Sequence, residues 1–186
     1  MARTAWTVRA ITRAMLPVLL VLTTIEIGSG LVLETFEADL LAYPSLLILV
    51  PVTIGTAGNL GSILAARLST AFHLGTLTFD AGDDRLLGNA VATVALALTV
   101  FPVIGVGAWG LGVLTGGPAL PVTTVLAVAV TSGAALSVLA VTITLVATYV
   151  AYRLELDPDD VVIPVVTNVC DVLGVLVLFG VYRVLV

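Results

Sequence analysis

The sequence predicts an all-α integral membrane protein with five transmembrane helices. Three observations carry that reading. The 186-residue chain is 60% hydrophobic and 10% charged, whereas soluble domains carry about 25% charged residues. Its apolar runs reach the roughly 20 residues that a helix needs to cross a bilayer. Most of its acidic residues gather between those runs, in three groups: Glu34, Glu37 and Asp39; Asp80, Asp83 and Asp84; Glu155, Asp157, Asp159 and Asp160.

Residues 1–13 are expected to be a short cytoplasmic N-terminal segment carrying Arg3, Arg9 and Arg13, and residues 14–186 a five-helix transmembrane domain. The apolar run after Arg13 is too long for a signal peptide and lacks a small-residue cleavage site. It reads as span one, 14–35, with Glu26 near its middle and Thr23 and Gly30 on the same face. Span two, 40–68, has a soft centre from Pro51 to Ser62. Proline and several glycines there predict a kinked or locally opened helix, tolerated in a membrane only where protein or a wet cavity surrounds it. Gly55, Asn59 and Ser62 share a face, at a spacing that also permits close helix packing.

The segment from Ser69 to Arg85 reads as a polar loop with His73 as a solvated residue. Spans three and four, 86–114 and 122–152, are joined by a tight turn, Thr115 to Pro121. Thr131, Ser132 and Ser137 can satisfy themselves within or between helices. A second polar loop, Arg153 to Asp160, leads into span five, 161–184.

Five spans place Arg3, Arg9, Arg13, Arg67, Arg85 and Arg153 at one end and Arg183 at the other. The positive-inside rule then sets the N-terminus in the cytoplasm and the C-terminus outside.

Asp171 is a carboxylate inside the last apolar run. An acid at that depth costs about 2.5–3.5 kcal/mol to insert and usually faces a pathway or a partner. Thr167, Asn168 and Gly174 fall on its side of the helix. An acid, an amide, a hydroxyl and a gap for a neighbouring backbone suit a cation path; an acid paired with another helix for packing alone is the competing reading. One chain of this size hardly encloses such a path, so a two-fold dimer is expected to bring two Asp171 side chains near one axis, where a dication neutralises them.

Oxygen donors suit Mg²⁺, which gives up its water reluctantly. Asp171, Asn168, Asn59 and carbonyls near Gly58 or Thr167 supply them; Mn²⁺ and Co²⁺ fit the same donors. The chain has one histidine and one cysteine, so the clusters that select Zn²⁺ or Cu⁺ are not expected. Cys170 reads as a packing residue. Glu26 reads as a coupling site for Na⁺ or H⁺, as an attractor of cations, or as a neutral acid bonded to Thr23. No basic stripe exists, so nucleic acid is not an expected partner. No nucleophile–base pair or metal-hydrolase motif appears, so an enzyme is not expected either.

Two stretches carry a family resemblance. LVPVTIGTAGNLGSILAARLSTAFHLGTL, Leu49 to Leu77, resembles the second membrane helix of MgtE-type magnesium transporters, with a Pro, a Gly-Asn-Gly-rich element and an Arg. Its GNL and ARLSTA strings look closer to the animal solute-carrier relatives. DPDDVVIPVVTNVCDVLG, Asp157 to Gly174, is similar to the family's fifth helix. Leu16-Pro17 and Phe36-Glu37 resemble the ends of the family's first helix.

The resemblance implies a homodimeric Mg²⁺ pore of five spans per subunit, or a heterodimer with a sister half-repeat chain. It implies that Asp171 binds the ion on the two-fold axis, that Asn59 lies beside the pore and that Asp157 stands at the cytoplasmic mouth. Ala57 departs from the first glycine of the motif, Cys170 and Leu173 flank the aspartate unusually, and Glu26 is additional. Bacterial relatives have cytosolic N and CBS domains for gating, and animal relatives fuse two repeats; this sequence reads as a single repeat without the cytosolic domains. A non-transporting membrane subunit that assembles or regulates a partner is the alternative from another class.

Overall fold

The computed structural model describes residues 7–76, 79, 83–116 and 120–186. Among them there are six helices and no strand: α1 (Val8–Glu34), α2 (Glu37–Ala42), α3 (Pro44–His73), α4 (Asp84–Leu114), α5 (Val122–Arg153) and α6 (Pro158–Leu185). All but α2 are apolar and between 27 and 32 residues long. At about 1.5 Å per residue each exceeds the roughly 30 Å hydrocarbon core.

The starts of these helices follow from local chemistry. The Thr7 hydroxyl accepts from the Ala10 N–H at 3.3 Å, and Asp157 accepts from the Asp159 N–H at 3.1 Å. Both side chains satisfy donors that a helix N-terminus leaves unpaired. Pro44 opens α3 and holds Tyr43 extended, at φ −126° and ψ 96°. The apolar run expected to begin at residue 40 is therefore split, and Leu40 belongs to the short α2. The first helix starts at Val8, earlier than residue 14, and α3 continues to His73, beyond residue 68.

α3 is helical throughout, with Pro51 inside it. The locally opened backbone expected between Pro51 and Ser62 is not observed. Proline removes one donor and disfavours the preceding turn, but well-packed neighbours keep the helix continuous. Gly61 lies directly beneath Val166 of α6, where a Cβ would overlap Val166 Cγ1. Small residues permit this close approach between helices in a membrane.

α6 packs against α1, α3 and α5, while α4 packs against α3 and α5. α1 is the outlying element. Leu22 is its one buried residue, and its principal neighbour is α6. Its inner stripe runs through Met15, Val18, Leu22, Glu26, Ser29 and Leu33, at spacings of three and four.

Among the described residues three apolar clusters fill the bundle; Leu60, Ala97 and Phe101 form one between α3 and α4, and the other two involve α6. One gathers Phe36, Leu46, Leu49, Val175, Leu178, Phe179 and Tyr182 towards the C-terminal end of α6. The other gathers Ala65, Ala140, Ala151, Val162, Val166 and Cys170 towards its N-terminal end. On α6 the first begins at Val175 and the second ends at Cys170, so Asp171 lies at the junction. Thr115 caps α4, Gly116 adopts φ +75°, and residues 117–119 of the expected turn lie outside the described residues. Arg3 and Asp80 also lie outside them.

Candidate ion site

Asp171 is half-buried on α6, and two other helices bring groups to it. From α1, the half-buried Glu26 approaches within side-chain hydrogen-bonding range of Asp171. From α3, Gly58 is buried, and the direction of its absent side chain points at the same place. A Cβ there would lie 3.9 Å from Asp171 Oδ1, 3.8 Å from Thr167 Cα and 3.9 Å from Thr167 Cγ2. Gly58 thus leaves room beside the carboxylate. Two carboxylates facing each other at bilayer depth repel unless a cation or a shared proton lies between them.

Thr167 is half-buried. Its hydroxyl donates to the Ile163 carbonyl at 3.0 Å and the Pro164 carbonyl at 3.1 Å, which leaves its lone pairs available. Asn168 Nδ2 donates to the Pro164 carbonyl at 3.0 Å. That contact fixes the amide and leaves Oδ1 as its free ligating atom. The Gly58 carbonyl already accepts from the Ser62 hydroxyl at 2.8 Å. Inside the continuous α3 the same oxygen also accepts the Ser62 N–H of the helical ladder, so both its lone pairs are engaged and the expected Gly58 carbonyl ligand is not free.

Several sequence expectations land elsewhere. Asn59 is exposed on the outward face of α3, with Gly55, and no described contact brings it to Asp171. Asn59 directly follows Gly58, and that single step turns it about 100° around the helix. Thr23 and Gly30 are exposed on α1, so Glu26 meets Asp171 rather than Thr23. The gap expected at Gly174 is filled by a side chain, since a Cβ there would lie 2.8 Å from Ile54 Cγ1. Cys170 is buried among alanines and valines, as a packing residue would be.

Asp157 is distant from Asp171, about 20 Å along the α6 axis. It caps the helix and faces His73 Nε2 at 3.6 Å. His73 is the last residue of α3 rather than part of a solvated loop. Among the described residues three buried hydroxyls have no hydrogen-bond partner, Ser45, Thr53 and Ser132; the expectation that Ser132 satisfies itself within or between helices is not met, and the sequence reading does not single out Ser45 or Thr53. Their polarity is visible in the sequence, but their burial is not.

These features define a polytopic helical membrane protein with an acidic, oxygen-rich cluster inside its apolar bundle. The family described as MgtE, divalent cation transporter, matches residues 50–181. That span covers most of the chain and includes Gly58, Asn59, Asp157, Thr167, Asn168 and Asp171; the chain belongs to the MgtE family. No curated protein matches it significantly.

Proposed function

We propose that this chain carries Mg²⁺ across the cell membrane along a path at a two-fold dimer interface built from α3 and α6, with Asp171 as the central ion ligand. The observation that carries the proposal is the convergence of Asp171, Glu26, Gly58 and Thr167 inside an apolar bundle of the MgtE family. An all-oxygen donor set favours a hard dication. Thr167 and Asn168 add neutral oxygen ligands one turn away. Asp157 stands at the cytoplasmic mouth when the N-terminal end of the bundle faces the cytoplasm, the orientation that arginine placement favours.

Asn59 and Gly55 take part on this reading from the outward face of α3, where a second copy would meet them. The dimer doubles the carboxylates around the axis, and a dication relieves their repulsion. Mn²⁺ and Co²⁺ compete for the same oxygens.

The decisive experiment is Mg²⁺ flux into proteoliposomes with wild type and Asp171→Asn, matched for folding and oligomeric state. Flux in wild type and its loss in the variant support Asp171 as a ligand. Equal flux in both makes Asp171 structural and removes it from the path.

The contact between Glu26 and Asp171 favours a second reading, in which Glu26 binds Na⁺ or H⁺ and couples its movement to that of Mg²⁺. On that reading Glu26→Gln retains Mg²⁺ flux down its own gradient but loses its response to an imposed Na⁺ or pH gradient. If Glu26 is instead a plain ion ligand, the same variant loses flux under every gradient.

A further inference from the structure

At the end of the bundle where α3 finishes and α6 begins, three side chains from two helices converge. His73, Asp157 and Asp159 each offer one ligand atom, and these atoms all lie within 4.8 Å of one another. We propose that these three residues bind a transition-metal dication of borderline softness, such as Zn²⁺, Co²⁺ or Ni²⁺, at a site separate from the ion path around Asp171.

The imidazole distinguishes this site from an ordinary acidic helix start. His73 Nδ1 lies 2.9 Å from the Ser69 carbonyl, which can only accept, so Nδ1 carries the proton. The Ser69 hydroxyl lies beside the same nitrogen at 3.3 Å. In the neutral ring Nε2 is therefore a lone-pair donor, and it points at Asp157 Oδ1, 3.6 Å away. A lone pair facing a carboxylate is repelled by it, and either a proton on Nε2 or a metal ion between the two relieves that repulsion. A backbone carbonyl holding the distal N–H is also how metal-binding histidines are generally oriented.

The spacing suits a metal. Ligands about 2.0–2.2 Å from a common ion lie about 3–4.3 Å apart; the 3.6 Å between His73 Nε2 and Asp157 Oδ1 falls in that range, and a separation near the 4.8 Å limit of the cluster would have to close on binding. Donor chemistry then sets the class of ion. One imidazole and two carboxylates favour the borderline metals, whereas Mg²⁺ gains little from a nitrogen ligand. The N-terminal dipole of α6 opposes a cation, but its partial charge of about half a unit is smaller than that of the carboxylates of Asp157 and Asp159, with Asp160 beside them. The His73 ring and Asp157 are both partly open, with side-chain exposures of 42% and 34%, so an ion can reach them from water.

A bound metal would tie the end of α3 to the start of α6. The test is Co²⁺ binding to the purified full-length chain, read by the visible absorption of Co²⁺ and by its displacement with Zn²⁺. With a large excess of Mg²⁺ present to hold the oxygen site around Asp171, wild type is expected to bind one Co²⁺ per chain. His73→Asn and Asp159→Asn should each weaken binding at least tenfold while leaving Asp157 in place as the helix cap. Zn²⁺ should raise the unfolding temperature of wild type but not of His73→Asn. In the same excess of Mg²⁺, Asp171→Asn should leave the Co²⁺ spectrum unchanged, which separates this site from the proposed transport path. Wild-type affinity in His73→Asn, or loss of the Co²⁺ signal in Asp171→Asn, would overturn the proposal.

Discussion

At the residue scale, two glycines of α3 have opposite surroundings. Gly61 sits under the fully buried Val166, whereas Gly55 has nothing within 4 Å of the place a methyl group would take. Gly61→Ala is expected to destabilise the protomer by about 1–3 kcal/mol, the usual cost of overpacking a stiff core. Thermal unfolding in detergent would read this as a lowered midpoint. Gly55→Ala should be neutral or slightly stabilising to the protomer, because alanine is the better helix former. A large loss at Gly55 would reveal that another chain covers that face. Cys170 supplies a second check at this scale. It is 1% exposed, so a thiol reagent should leave it unlabelled in the folded protein and modify it once the protein is denatured. Rapid labelling of the folded protein would contradict the packing between α3, α5 and α6.

At the element scale, Asp157 does two things that substitution can separate. Its carboxylate caps α6 and, on the proposed path, places negative charge at the mouth. Asparagine caps a helix about as well as aspartate, whereas alanine does not. Asp157→Ala should therefore cost about 0.5–2 kcal/mol of stability, while Asp157→Asn should keep stability and lose only charge-dependent ion attraction. Unfolding midpoints of the two variants decide the first part, and flux at low Mg²⁺ the second. If both variants unfold alike, the cap contributes nothing. At the opposite end, Phe36 stacks on Phe179 with ring centres 3.9 Å apart, and the Arg183 guanidinium lies 4.7 Å from the Phe36 ring. That clasp holds the connection between α1 and α2 against α6. In the sequence Phe36 and Arg183 stand only at the ends of apolar runs, because neither their pairing nor their distance in space has a local signature.

At the scale of the whole molecule, the asymmetry of the bundle bears on the proposed dimer. α1 is joined mainly through α6, and the outward face of α3 carries Gly55 and Asn59 without a partner among the described residues. A two-fold partner against that face would bury both. Asn59→Cys in a Cys170→Ser background should then form an intermolecular disulfide in the membrane under mild oxidation, seen as a dimer on a non-reducing gel. Monomer alone would place the interface elsewhere. Five apolar helices are legible in the sequence because burial in lipid demands long, uncharged runs. Asp171 is legible for the same reason, since a charge stands out against such a run. Pro44 marks the α2–α3 break, yet the two elements read as one span because the apolar composition continues across it. Glu26 is visible as an acid but not as the partner of Asp171, because the two lie on helices 145 positions apart in the chain.

The sequence by itself determined the membrane class, the number of long helices and the family, since each of these is carried by composition or by contiguous motifs. The tertiary structure decided which polar groups meet. It brought Glu26 and Gly58 to Asp171, turned Asn59 outward, filled the space at Gly174 with Ile54, and set His73 against Asp157. The physical reason is that hydropathy acts on each segment separately, whereas the rotation of one helix against another depends on side-chain shape at every crossing. A single residue of register turns a helix by about 100°, enough to move a polar side chain from an ion site to the lipid or a partner.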